Sequence, residues 1–100
     1  MRVIWSRRAL RDLEQIRDYI AQDSAAYALS FVERLLRATR RLPKFPRSGR
    51  AMPEAEDDTI REVIYQGYRI IYRLNPDAVE IVMVVHGSRD LAGQQGKPWG

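Results

Sequence analysis

The chain has 100 residues, no cysteine and one histidine, with 45% hydrophobic residues, 30% charged residues and a formal net charge of +4. That length holds one domain, and the apolar fraction is that of a folded chain rather than a disordered one. Without cysteine there is no disulfide framework, thiol nucleophile or thiolate metal site, and His86 alone is too little for zinc, so no metal or cofactor is expected.

The basic residues are unevenly chosen and unevenly placed. Fifteen of the 17 are arginine, leaving only Lys44 and Lys97. A GC-rich genome accounts for such a bias as well as a functional need does, although arginine also offers a planar fork of donors for phosphates and carboxylates. Residues 1–50 carry 12 basic and 5 acidic groups, a net of +7, whereas residues 51–100 carry 5 and 8, a net of −3. A basic half points to an anionic partner, either nucleic acid or an acidic protein. The N-terminus lacks the long apolar core of a signal peptide, and no apolar run approaches the ~20 residues of a membrane helix. A cytoplasmic protein without membrane contact is expected.

In chain order, residues 2–5 read as a short strand ending at Ser6, a helix N-cap whose hydroxyl can accept from a first-turn amide. Ala9, Leu13, Ile16 and Ile20 then recur at spacings of four, three and four, one apolar stripe of a helix. Asp23 or Ser24 caps a second helix, expected from about Ala25 to Leu42, with a stripe of Ala28, Phe31 or Val32, Leu35, Thr39 and Leu42. Pro43 ends it, because proline has no amide hydrogen and disfavours helix in the residue before it. The two helices make a hairpin.

Residues 43–60 hold Pro43, Pro46, Gly49 and Pro53, then the acidic cluster Glu54, Glu56, Asp57 and Asp58, and read as a loop, mobile in its acidic half. Strands Arg61–Tyr65 and Tyr68–Leu74 flank the two-residue turn Gln66-Gly67, and Val79–His86 follows the turn Asn75-Pro76-Asp77-Ala78. Pairing Tyr65 with Tyr68 and Leu74 with Val79 places Val63, Tyr65, Tyr68, Ile70, Tyr72, Leu74, Val79, Ile81, Met83 and Val85 on one face, to be packed by the helices. The opposite face receives Glu62, Ile64, Arg69, Ile71, Arg73, Glu80, Val82, Val84 and His86, with Arg73 opposite Glu80 and Glu62 diagonal to Arg69. This mixed face, with arginines and the histidine around an apolar centre, is the expected functional surface. The expected fold is α+β: an N-terminal strand, a two-helix hairpin and a three-stranded antiparallel sheet that Val3–Trp5 joins. Residues 1–91 form the domain, and residues 92–100 an aperiodic tail. Trp99 in that tail is either an anchor for a partner or part of an unstructured end.

Several local words make the order of elements specific. They are Trp5-Ser6 with Ala9 and Asp12-Leu13, then Tyr19-Ile20-Ala21, Pro46-Arg47-Ser48-Gly49-Arg50, Arg61-Glu62, Tyr68-Arg69-Ile70-Ile71-Tyr72 and Val85-His86-Gly87-Ser88-Arg89-Asp90-Leu91. Across residues 2–91 they resemble the RelE/ParE superfamily of bacterial type II toxins, closest to its ParE branch. The resemblance implies a toxin held in a hetero-oligomer by its cognate antitoxin. ParE-like members are associated with blocking DNA gyrase and hence replication. RelE-like members cleave messenger RNA on the ribosome, and one shared fold does not separate the two.

Ribonuclease chemistry needs a stabilised phosphate and an acid–base group. By resemblance Arg69 and Arg89 match family arginines, Lys44, Arg47 and Arg50 are looser counterparts of its basic loop, and His86 is the available acid–base group. The tyrosine that many RelE-like nucleases carry after the last strand has no counterpart, since no Phe, Tyr or Trp follows Tyr72 until Trp99. The expected function is therefore a binding inhibitor of DNA gyrase, with Arg69, Arg73, His86 and Arg89 as target-binding residues. The alternative is a ribosome-dependent mRNA interferase, an endoribonuclease using Arg69, His86 and Arg89, with ribosome and mRNA as its partners.

Overall fold

A computed structural model describes residues 1–93 and 97–99; Gln94, Gln95, Gly96 and Gly100 of the expected tail lie outside the described residues. The elements in chain order are β1 (Arg2–Trp5), α1 (Arg7–Ala21), α2 (Ala25–Ala38), β2 (Arg50–Ala51), a 3₁₀ turn (Pro53–Ala55), β3 (Ile60–Tyr65), β4 (Tyr68–Leu74) and β5 (Ala78–His86). The five strands form one sheet in the order β1-β5-β4-β3-β2. β1 joins it as expected, parallel to β5, while the other neighbouring pairs are antiparallel. This is the expected α+β architecture with one added strand, β2. Among the described residues no helix is long and apolar enough to cross a membrane.

Both helices start where the caps predict. The Ser6 hydroxyl accepts from the Ala9 amide at 3.0 Å, and of Asp23 and Ser24 it is Ser24 that caps α2, accepting from Tyr27 at 3.1 Å. α2 stops at Ala38, four residues before the expected end. Thr39 turns its hydroxyl onto the Leu36 carbonyl at 2.7 Å, and the backbone continues in tight i→i+3 turns that still deliver Leu42 to the core. The predicted stripes are the buried ones: Ala9, Leu13 and Ile16 of α1 and Phe31 and Leu35 of α2 pack with Leu42 on Val63, Ile70, Tyr72, Val79, Ile81 and Val84 of the sheet.

The hairpin register matches expectation at Tyr65↔Tyr68 and Leu74↔Val79. Between these points the sheet departs from strict alternation. Tyr72 pairs with Ile81 but Ile71 pairs with Met83, so Val82 is an extra residue, a β-bulge. Beyond it every side chain of β5 changes face. Val84 and His86 therefore lie on the helix-covered face, and Met83 and Val85 on the other, which reverses the expected assignment of all four. The bulge is held from the β1–α1 junction, where the Ser6 amide donates to the Ile81 carbonyl at 2.9 Å and the Ser6 hydroxyl to the Val82 carbonyl at 3.1 Å. Further along, Asp12 of α1 accepts from the Val84 amide at 3.0 Å, past the end of β1. Ser6 thus both caps the helix and satisfies the bulge. Ser6→Ala is expected to lower stability by about 1–2 kcal/mol in a urea titration; a loss below about 0.3 kcal/mol would show that neither bond matters.

The second face is not open. The segment expected to be mobile is folded onto it: β2 pairs with β3, Pro53–Ala55 makes a helical turn, and Asp57 accepts from the Thr59 amide and hydroxyl. Met52, Ile60, Ile71, Val82, Met83, Val85, Leu91 and Trp99 form a second apolar cluster there. Trp99, 3% exposed, is part of the packed structure rather than an exposed anchor or a loose end.

Candidate functional site

Of the four expected target-binding residues, alternation places Arg69, Arg73 and His86 on one sheet face, with Arg89 following the last strand, and the structure divides the first three. Arg69, Arg73 and Glu80 lie on the second face, whereas His86 pairs with Tyr68 on the helix side. The expected juxtaposition of Arg69 with His86 is thereby corrected. The Val82 bulge is the reason.

On the second face, Arg69 is enclosed by carboxylates. Its Nη1 and Nη2 donate to the two Glu54 oxygens, each at 2.7 Å, and its Nε donates to Glu62 at 2.6 Å. Glu62 sits on β3 diagonal to Arg69, as alternation predicts, and its side chain is wholly buried; its second oxygen accepts from Arg50 of β2. The pairing of Arg73 with Glu80 is also as expected, at 2.6 Å. Glu54 was not foreseen, because it arrives from the loop. The one hint available was chemical: an arginine among apolar neighbours needs a partner, and its five N–H donors can engage more than one. Beside the network, Arg50, Pro53, Glu54, Ile64, Gly67, Arg69 and Gly87 line a shallow hollow of about 400 Å³.

The Arg69 fork holds the Glu54 carboxyl below its ordinary range. The sign follows directly. A carboxyl whose folded pKa is depressed adds stability above its unfolded pKa, and that stability is lost as pH falls through the folded value. Thermal melts of the wild type are therefore expected to drop more steeply between about pH 5 and pH 3 than those of Glu54→Gln; parallel curves would remove Glu54 from the account.

The loop before β2 is pinned from the other side of the sheet. The Tyr72 hydroxyl donates to the Pro46 carbonyl at 2.7 Å and accepts from the Gly49 amide at 3.0 Å, and Arg61 Nε donates to the Gly49 carbonyl at 2.8 Å. Gly49 packs so closely that a Cβ there would lie 2.5 Å from the Glu62 carbonyl oxygen.

His86 and Arg89 come together at the end of the sheet, in a cleft of about 280 Å³ shared with Asp12, Gln15, Tyr19 and Tyr68. His86 Nδ1 lies 2.6 Å from the Ser88 hydroxyl oxygen and 3.2 Å from the Ser88 amide nitrogen, which tie the ring to the turn after β5. The imidazole stands edge-on to Tyr68, with centroids 5.4 Å apart. Burial pushes the Tyr68 phenol up, and Tyr19 adds to this, so the hydroxyl is neutral near pH 7. Tyr19 and Gln15 line the same cleft and carry no signal in the sequence that would single them out. Those two sit on α1, one turn apart, and belong to the cleft only because α1 crosses the end of β5.

A strand, a helical hairpin and a mixed five-stranded sheet make a small α+β fold, and that fold is shared with a solved structure, the chromosomal ParDE TA system from P. aeruginosa. A chain of that structure superposes with a TM-score of 0.73 at 21% identity, covering 86% of this chain and 95% of that one. At the sequence level, residues 3–91 match the family model for the ParE toxin of the type II toxin–antitoxin system parDE. The chain is 39% identical over 88 residues to Toxin RelE2 of Caulobacter vibrioides, covering 87% of this chain and 96% of that protein. It is 31% identical over 97 residues to Toxin ParE3 of the same organism, covering 96% of each. The chain belongs to the ParE toxin family, within the RelE/ParE superfamily of type II toxins.

Proposed function

We propose that this toxin stops growth by binding DNA gyrase rather than by cutting RNA, and that a cognate antitoxin neutralises it. The observation that carries this reading is the state of Arg69. The arginine resembling a phosphate-binding residue has all three of its donor nitrogens engaged by Glu54 and Glu62. A scissile phosphate would have to displace a bidentate carboxylate to reach it. The guanidinium also lies across the sheet from His86, so the set Arg69, His86 and Arg89 is not assembled around one point. In this reading His86 and Arg89, with Tyr19 and Tyr68, form the contact for the target, while Arg69 and Arg73 hold the sheet that presents it.

The ribosome-dependent mRNA interferase remains as a second reading because His86 and Arg89 share one cleft, which places an imidazole beside a cation. The relative named RelE2 also favours it. One pair of assays separates the two. Purified toxin is expected to inhibit gyrase supercoiling and to leave messages intact in a translation extract. Unaffected supercoiling at large toxin excess, with message cleavage lost in His86→Gln, would overturn the proposal in favour of the nuclease.

A further inference from the structure

The positive charge of the first half of the chain has one address. Between Glu33 and Glu54 there is no acidic residue, and residues 34–50 hold seven basic ones: Arg34, Arg37, Arg40, Arg41, Lys44, Arg47 and Arg50. The other five basic residues of that half are matched by five acidic ones, so its whole net of +7 sits in this segment. All seven side chains belong to exposed residues. Arg50 is paired with Glu62 and Arg47 with Asp58, but among the described residues the other five have no carboxylate within ion-pair distance. Arg34 and Arg37 on α2 continue into Arg41 at spacings of three and four, one stripe along the helix and the turn that follows it.

At the end of this stripe stands Phe45, 57% exposed although large and apolar. The Lys44 ammonium lies 5.8 Å from its ring centroid. Phe45 borders an apolar hollow of about 440 Å³ lined by residues 44–48. The platform is held firmly, because Arg41 Nε donates to the Ser48 hydroxyl at 2.9 Å and the Tyr72 hydroxyl fixes the Pro46 carbonyl. An exposed aromatic ring, with the Lys44 ammonium over it and unneutralised arginines nearby, combines the two elements that hold unpaired nucleic acid: cations for the backbone and a ring for a base. An acidic protein would use the cations and have no need of the exposed ring.

We propose that the arginine-rich end of α2 and its turn bind the phosphate backbone of a single-stranded nucleic acid, with Phe45 stacking on one base. This surface is distinct from the His86 cleft, and the inference holds whichever target that cleft contacts. The test is fluorescence anisotropy of the full chain with labelled oligo-dT, oligo-U, a duplex of equal length and a poly-glutamate peptide. Both single strands are expected to bind more tightly than the duplex and the peptide, and the tighter of the two identifies DNA or RNA as the ligand. Arg37→Ser should reduce the slope of log K against log salt by about 0.7. Phe45→Ala should weaken binding about tenfold and leave that slope unchanged. Both positions are exposed, so both variants should fold, which circular dichroism would verify. Absence of binding at about 50 mM salt would overturn the proposal. An unaltered affinity in Phe45→Ala would do the same, and tight binding of poly-glutamate would reassign the surface to an acidic protein.

Discussion

Replacing Arg69 with methionine is expected to cost about 3 kcal/mol, the lower end of what breaking a buried ion pair costs when one partner is removed. The partner left behind is Glu62, whose side chain has no exposure and would keep only Arg50, itself 61% exposed. Glu54 loses its bidentate partner at the same time, which frees the 3₁₀ turn it anchors. Urea denaturation measures the loss, and a double variant identifies its cause. Arg69→Met with Glu62→Leu places apolar side chains beside Ile71 and Val85, and should recover most of the stability, because the penalty comes from the uncompensated charge. A loss below about 1 kcal/mol in the single variant, or no recovery in the double, would mean the network contributes little. This outcome bears on function as well. A toxin inactivated by Arg69→Met has first to be shown folded, since loss of the fold and loss of a phosphate ligand give the same phenotype.

The second large effect is expected at Trp99. Its indole fills the apolar cluster of the second face with Met52, Ile60, Ile71, Val82, Met83, Val85 and Leu91. Truncating a buried tryptophan to alanine removes transfer free energy and leaves a cavity, about 3–5 kcal/mol together. Trp99→Ala should therefore lower the denaturation midpoint markedly and weaken protection from proteolysis in residues 50–58. Phe45→Ala is the matched control: an aromatic of the same chain, exposed rather than buried, whose loss should change stability by no more than about 0.5 kcal/mol. If the two variants proved equally stable, Trp99 would not be part of the core, and the second face would be open after all.

The two effects explain why the second face cannot be read as a free surface. Strand alternation places arginine, glutamate and isoleucine on it, the pattern of a half-wet sheet. The loop and the last described residues cover it, one bringing Glu54 to Arg69 and the other bringing Trp99 to Ile71 and Met83. Away from that face, the His86 cleft on the helix side and the arginine stripe leading to Phe45 are accessible. These are two separate surfaces, one at the end of the sheet and one at the end of α2.

The sequence by itself determined the elements whose signals are local. The Ser6 and Ser24 caps, the stripes of Ala9, Leu13 and Ile16 and of Phe31 and Leu35, and the Gln66-Gly67 turn all act within a few residues. The order of these words also carried the family. The diagonal of Glu62 to Arg69 and the pair Arg73 with Glu80 followed because the β3–β4 and lower β4–β5 pairings are regular. Tertiary structure decided what depends on residues distant in the chain. The Val82 bulge is a single extra residue that period-two alternation cannot reveal, and its carbonyl is satisfied by Ser6, 76 residues away. That one shift moved His86 away from Arg69. Glu54 is 15 residues from Arg69 and lies in an aperiodic loop, so only the folded chain could pair them. The charge met at the outset divides in the same way. Its total and its concentration in residues 34–50 are legible in the chain, but which arginines are neutralised and which stand beside an exposed ring depends on how the loop closes over the sheet.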